Sequence, residues 1–154
     1  MTRTHPVGQH SLIEDLNQLL RLTDQQGTTS CFALIRLESL QKIKTCYGNG
    51  VIDGVLTSLE VYLRQSFRSQ DVLMRWEQEE FFLGIYDISK EIAIQRINDL
   101  SLAFSQDNYI SNQKRLFHVS FSSTVAEYPQ DGKDIQTLYN YARRVLLRSK
   151  VTDS

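Results

Sequence analysis

Arg68-Ser69-Gln70-Asp71 places a guanidinium and a carboxylate three residues apart, just ahead of an apolar run. An arginine fork binds phosphate oxygens, or another edge with two adjacent acceptors, through two parallel hydrogen bonds. An aspartate one turn away can accept from paired N–H donors. The bland alternative is a solvated turn in which Asp71 opens a strand, because such a pair arises by chance in most chains of this size. A few residues on, Glu77-Gln78-Glu79-Glu80 is a tight acidic turn joining predicted strands 72–76 and 81–85. Arg143, Arg144 and Arg148 make a basic patch near the chain's end, which suits a helix C-terminus and reads first as a solvated face. Trp76, Phe81 and Phe82 read as core before they read as a stacking platform.

Composition excludes more than it selects. The 154 residues carry 41% hydrophobic and 23% charged side chains, as an ordinary globular domain does, and the length suffices for a real core. A formal net charge of -1 gives no pull toward nucleic acid or an anionic membrane. No apolar run approaches the ~20 residues of a membrane helix, and the first residues lack a secretory signal. Cys31 and Cys46 have no metal-like spacing and read as reduced cytosolic thiols, and His5, His10 and His118 form no zinc pattern. The whole of 1–154 is expected to be one cytoplasmic domain, with an N-terminal helix at 11–24 and a core at 30–150.

The elements that must position these groups are read from periodicity. Leu12, Ile13, Leu16, Leu19 and Leu20 predict a helix over 11–24, with Ser11 and Glu14 in the form of a capping box. The run 31–37 suits a central strand. Helical texture over 38–47 ends at the turn signal Gly48-Asn49-Gly50, and Ile52, Val55, Leu56, Leu59 and Leu63 mark the next helix. After the hairpin, Ile92, Ile94, Ile97, Leu100 and Phe104 mark another. Residues 116–128 read as one long strand or two short ones. Asp134 can cap a last helix with Ile135, Leu138, Ala142, Val145 and Leu146 on one face. The predicted class is α+β, a mostly antiparallel sheet of ferredoxin-like type flanked by helices.

Order and spacing of several short motifs resemble the GGDEF domains, which make the bacterial second messenger cyclic di-GMP. The signature hairpin of that family is Arg-Tyr-Gly-Gly-Asp/Glu-Glu-Phe, and this chain has Arg75-Trp76-Glu77-Gln78-Glu79-Glu80-Phe81. The segment from Arg36 through Glu38, Lys44, Tyr47 and Gly48 to Asp53 follows the family's first motif. Ser120 through Tyr128-Pro129-Gln130-Asp131-Gly132 and Ala142 through Lys150 follow its later strand and closing helix.

The resemblance implies a GTP site with two divalent metals, and then shows that site lost. Arg36 stands where the first metal aspartate would be, while Glu79 keeps the hairpin carboxylate and Glu38 cannot replace the missing ligand. Glu77 and Gln78 replace the glycines that let backbone N–H groups approach a triphosphate. Gln41 replaces one phosphate lysine and Lys150 keeps the other; Lys44 replaces the guanine-binding asparagine, and Asp53 remains. With Glu80, these form a vestigial active site of Arg36, Glu38, Lys44, Asp53, Glu77, Gln78, Glu79, Glu80 and Lys150, whose survivors read as an acidic tip and solvated helix ends. No cofactor or metal is expected, and no cyclase activity. Arg68 and Asp71 match the family's inhibitory product site, whose supporting arginine falls on Asp99, with Arg96 only nearby. The expected function is a catalytically inactive regulatory domain in cyclic di-GMP signalling, a receptor through Arg68 and Asp71 that acts on an adjacent domain or partner protein. The alternatives are a ligand-free interaction or homodimerisation module and a residual cyclase or GTP sensor.

Overall fold

The apolar run at 31–37 becomes the spine of the molecule. The structure, a computed structural model, describes residues 8–38, 40–77, 79–106, 109–110 and 116–153. Along the chain these form α1 (Gly8–Gln26), β1 (Ser30–Leu37), α2 (Leu40–Tyr47), α3 (Asn49–Ser66), β2 (Val72–Glu77) and β3 (Glu80–Ile85). There follow α4 (Lys90–Ser105), β4 (Tyr109–Ile110), β5 (Leu116–Phe117), β6 (Phe121–Tyr128) and α5 (Ile135–Asp153). The main sheet has the order β2-β3-β1-β6 with every pair antiparallel, and β4 and β5 form a separate two-stranded ladder. The class is α+β, as predicted.

β1 is apolar on both faces because both are covered. Cys31, Ala33, Ile35 and Leu37 join one buried cluster with residues of α2, α3 and α4, whereas Phe32 and Leu34 join another with α1 and α5. β3 splits the same way: Phe81, Leu83 and Ile85 face the first cluster and Phe82 the second. Gly84 has no side chain because none fits; a Cβ there would lie 2.9 Å from the Phe32 ring and 3.0 Å from Leu16.

Four expectations are corrected. α1 begins at Gly8, so Ser11 lies inside the helix instead of capping it. The turn at 48–50 narrows to Gly48, at φ 90°, and α3 takes in Asn49 and Gly50. Ile92 and Ile94 are exposed, because each lies about 100° around the helix from Ala93, which with Ile97 and Phe104 forms the buried face. The hairpin strands extend to Glu77 and Glu80, which pair across the tip, so the acidic turn gives up both of its end residues to the strands. Asp134 does cap α5, its carboxylate accepting from Thr137 N–H at 2.8 Å. That carboxyl is held below its ordinary pKa by the hydrogen bond. Among the described residues no helix is long and apolar enough to cross a membrane.

Candidate functional site

The two groups of candidate residues lie at opposite ends of the sheet. Arg36, Glu79 and Glu80 cluster where β1 ends and the β2–β3 hairpin turns. Arg68 and Asp71 precede β2 at the other end, beside the start of β1 and the exit of β3. The six residues of β3 separate the ends by roughly 20 Å.

At the hairpin end, Glu80 is not a solvated tip residue but a buried carboxylate, 5% exposed. A buried carboxylate is tolerable when hydrogen-bonded and paired. Tyr139 Oη of α5 donates to Glu80 Oε1 at 2.7 Å, and Arg36, its register partner across β1–β3, places Nε 3.8 Å from Oε2. Tyr139 stacks on Trp76 with ring centroids 4.6 Å apart, and Arg143 Nη1 approaches its hydroxyl at 3.5 Å. Burial, then the hydrogen bond to Glu80, push the Tyr139 phenol up to about 12. The second hairpin carboxylate is also matched by a cation, with Lys44 Nζ 3.6 Å from Glu79 Oε1.

Among the described residues, the other sequence-predicted positions, Asp53 and Glu38, lie apart from this cluster. Asp53 is exposed on α3. Glu38, half-buried, lines a separate cleft of about 220 Å³ with Lys42, Cys46 and His118. Glu77 ends β2 and Lys150 lies in α5, their side chains outside the described residues, as Gln78 is altogether.

At the opposite end, Asp71 is inward and saturated, its side chain 1% accessible. Oδ2 accepts from Arg68 N–H at 3.1 Å and Nε at 3.4 Å; Oδ1 accepts from Tyr86 N–H at 3.0 Å and Arg68 Nη2 at 3.4 Å. Arg68 Nη2 also donates to the Tyr86 carbonyl, while the side chain stays 40% accessible. The pair is therefore neither a loose solvated turn nor two outward-facing groups: Asp71 holds and Arg68 is held. Arg68 lines an open cleft of about 420 Å³ with Thr28, Asp87, Ser89, Arg96 and Glu127. Asp87, in the left-handed region at φ 53°, accepts from the Thr28 hydroxyl and donates its N–H to Ser30 Oγ at 3.1 Å. Ser89 caps α4 by accepting from Ile92 N–H. Asp99, one turn beyond Arg96, is not among the cleft's walls. Counting positions along the chain leads to Asp99; only the cleft brings in Arg96.

An antiparallel four-stranded sheet with this helix order, a hairpin at one end and an arginine cleft at the other, defines a nucleotidyl-cyclase-like domain. The family model for the diguanylate cyclase GGDEF domain matches residues 4–154, and the chain belongs to that family. Solved structures with this fold include the GGDEF domain of PA1120 (YfiN or TpbB) from Pseudomonas aeruginosa, 17% identical, covering 93% of this chain and 89% of that one, TM-score 0.85. The GGDEF domain of DgcB from Caulobacter crescentus, solved with cyclic di-GMP, is 16% identical over 94% of this chain and 83% of that one, TM-score 0.85. The FimX GGDEF domain from Pseudomonas aeruginosa is 18% identical over 97% and 96%, TM-score 0.80. No curated protein sequence matches the chain. GGDEF domains belong to cyclic di-GMP signalling proteins and are generally diguanylate cyclases.

The metals such a cyclase needs are poorly served by these residues. Mg²⁺ is a hard ion that wants several oxygen ligands. Here one hairpin carboxylate is shared by Tyr139 and Arg36 and the other faces Lys44, so each already has a partner within the chain. Among the described residues no group of three or more His, Cys, Asp or Glu could hold a metal ion. The donor set does not fit a two-metal centre.

Proposed function

We propose that this chain is a catalytically inactive GGDEF domain that serves as a cytoplasmic cyclic di-GMP receptor, binding through the cleft at Arg68 and passing that state to an adjacent domain or partner protein. The observation that carries the receptor reading is the held arginine: Asp71 and the Tyr86 carbonyl fix the Arg68 guanidinium at the rim of a cleft that also contains Arg96. A pre-fixed fork loses little freedom when it grips a phosphate or a guanine edge. The loss of catalysis is supported by the hairpin end, where each carboxylate faces a cation of the chain's own and Glu77 and Gln78 occupy the glycine positions. The complex of the related DgcB domain with cyclic di-GMP makes that ligand the first to try.

Calorimetric titration with cyclic di-GMP tests the receptor half; saturable heat with a rise in melting temperature is expected, and neither appearing removes it. Incubation with GTP and Mg²⁺ or Mn²⁺ tests the other half, and any cyclic di-GMP formed contradicts the account of Arg36. A second reading, a ligand-free association module, is favoured by Leu102 and Ile94, apolar side chains of α4 exposed at 63% and 40%. It predicts a dimer by light scattering that nucleotide does not alter.

A further inference from the structure

The cleft of about 220 Å³ beside α2 shares no residue with the hairpin cluster or with the Arg68 cleft. Its floor belongs to the core, since Ile43 and Val119 are only 6% and 3% exposed. Lys42 and Cys46, four residues apart on α2, stand on one face of that helix and form one wall. Lys44 falls nearly opposite Lys42 around the helix and pairs with Glu79, so this wall faces away from the hairpin. The other wall is Glu38 and the segment 118–120, which leads into β6 on the side of β1 away from β3. That wall is fastened. Glu38 N–H donates to the Ser120 carbonyl at 2.9 Å, and His118 Nδ1 donates to the Ser105 carbonyl at 3.2 Å.

We propose that Cys46 is a site of reversible thiolation and that this cleft receives the disulfide of a small zwitterionic thiol. Cys46 is exposed, whereas the chain's other thiol, Cys31, is closed in the core. The cleft carries both signs of charge around the accessible thiol: the Lys42 ammonium one turn before it and the Glu38 carboxylate on the facing wall. A zwitterionic thiol brings a carboxylate for the first and an ammonium for the second. Its methylene groups find the apolar floor of Ile43 and Val119. The Cys46 thiolate attacks one sulfur of the small disulfide. A new S–S bond to Cys46 forms as the old one breaks, and the second thiol leaves as a thiolate that takes up a proton. The small disulfide is the oxidant, and a reducing thiol reverses the step by the same route.

Thiol exchange on the full chain tests this with three probes: glutathione disulfide, cystamine, which carries only ammonium groups, and the neutral bis(2-hydroxyethyl) disulfide. Intact and peptide mass spectrometry read the rate and the site. Label is expected at Cys46, none at Cys31 under native conditions, and none on the native-state Cys46→Ser variant. Each charged probe is scored as its rate relative to the neutral disulfide. A change in thiol access or in folding moves both rates together and leaves that ratio alone. Lys42→Ala should lower the ratio for glutathione disulfide roughly two- to five-fold, the range of one exposed ion pair, and raise it for cystamine. Glu38→Gln should lower the ratio for cystamine by a similar factor. An unchanged glutathione ratio in Lys42→Ala overturns the proposal, as does native-state labelling that falls on Cys31. An unchanged cystamine ratio in Glu38→Gln overturns the zwitterionic class of ligand.

Discussion

Arg36 and Glu80 face one another across β1 and β3, and Arg36 Nε lies 3.8 Å from Glu80 Oε2 where the family resemblance places a metal aspartate beside a catalytic hairpin. The pair sets a permanent cation beside a buried carboxylate at the hairpin end. Glu80 is the more buried member, its side chain 6% accessible against 30% for Arg36, so the arginine matters mostly as the counter-charge of a buried carboxylate.

Arg36→Ala should therefore destabilise the fold by about 1–3 kcal/mol, the usual penalty for leaving a buried polar group short of a partner. Adding Glu80→Gln should recover much of that loss, because the amide keeps an acceptor for Tyr139 without a charge to compensate. Urea denaturation of the two single variants and the double variant measures the coupling; strict additivity would mean that the two side chains do not interact. Neither variant is expected to form cyclic di-GMP from GTP.

The sheet was largely legible, and the charged site was not, for a physical reason. The apolar run of β1 and the alternating hairpin strands state their burial locally, since each residue's face follows from the pleat. Glu80 does not. Its burial is made possible by Tyr139, 59 residues away on α5, and in the sequence it is one more acid in an acidic turn. Arg96 was hidden for a similar reason: counting from Arg68 reaches Asp99, and only α4's placement on the sheet shows that the helix turn before it reaches the cleft. Ile92 shows the converse error, an apolar letter that fits a helical pattern yet forms a cleft wall.

Tyr139 makes stability fall at alkaline pH. Burial and the Glu80 hydrogen bond raise its phenol from 10 to about 12, so between those values the folded chain keeps a proton that the unfolded chain releases. The stabilisation is then complete below pH 10 and is lost as pH rises through about 12. Tyr128, raised by burial and by Asp24, adds to the same decline. Tyr139→Phe keeps the stacking on Trp76 and removes the hydroxyl. It should be less stable at neutral pH by about 1–2 kcal/mol, with a shallower loss of stability above pH 10. Matching slopes in the native chain and the variant would show that Tyr139 titrates normally.

The two thiols should separate cleanly in reactivity. Cys31 lies in the core of β1, donates to the Ile88 carbonyl at 3.4 Å, and is pushed by burial up to about 12. Cys46 is exposed on α2. The thiolate is the reacting species, so iodoacetamide at neutral pH is expected to label Cys46 and to reach Cys31 only after denaturation. Peptide mass spectrometry of native and denatured samples reads the ratio. Equal labelling in the native state would place Cys31 outside the closed core described here.

The cleft is also fastened to α1, and that link predicts where ligand is felt. Thr28 and Thr29 line it, the Thr28 hydroxyl donates to Asp87, and Ile88 N–H donates to the Thr29 carbonyl at 2.8 Å. Just upstream, Thr23 Oγ1 lies 2.6 Å from Ser30 Oγ, and the Tyr128 hydroxyl donates to both Asp24 oxygens at 2.9 Å. The last turn of α1, the start of β1 and the cleft wall are thus one hydrogen-bonded unit, roughly 20 Å from the hairpin. Hydrogen exchange should slow at residues 23–31 when cyclic di-GMP binds and stay unchanged at 79–81. The Tyr128→Phe variant should still bind but lose much of the slowing at 23–26, because the clasp on Asp24 is gone. Protection that appears at the hairpin and not in α1 would mean that the ligand sits at the other end of the sheet.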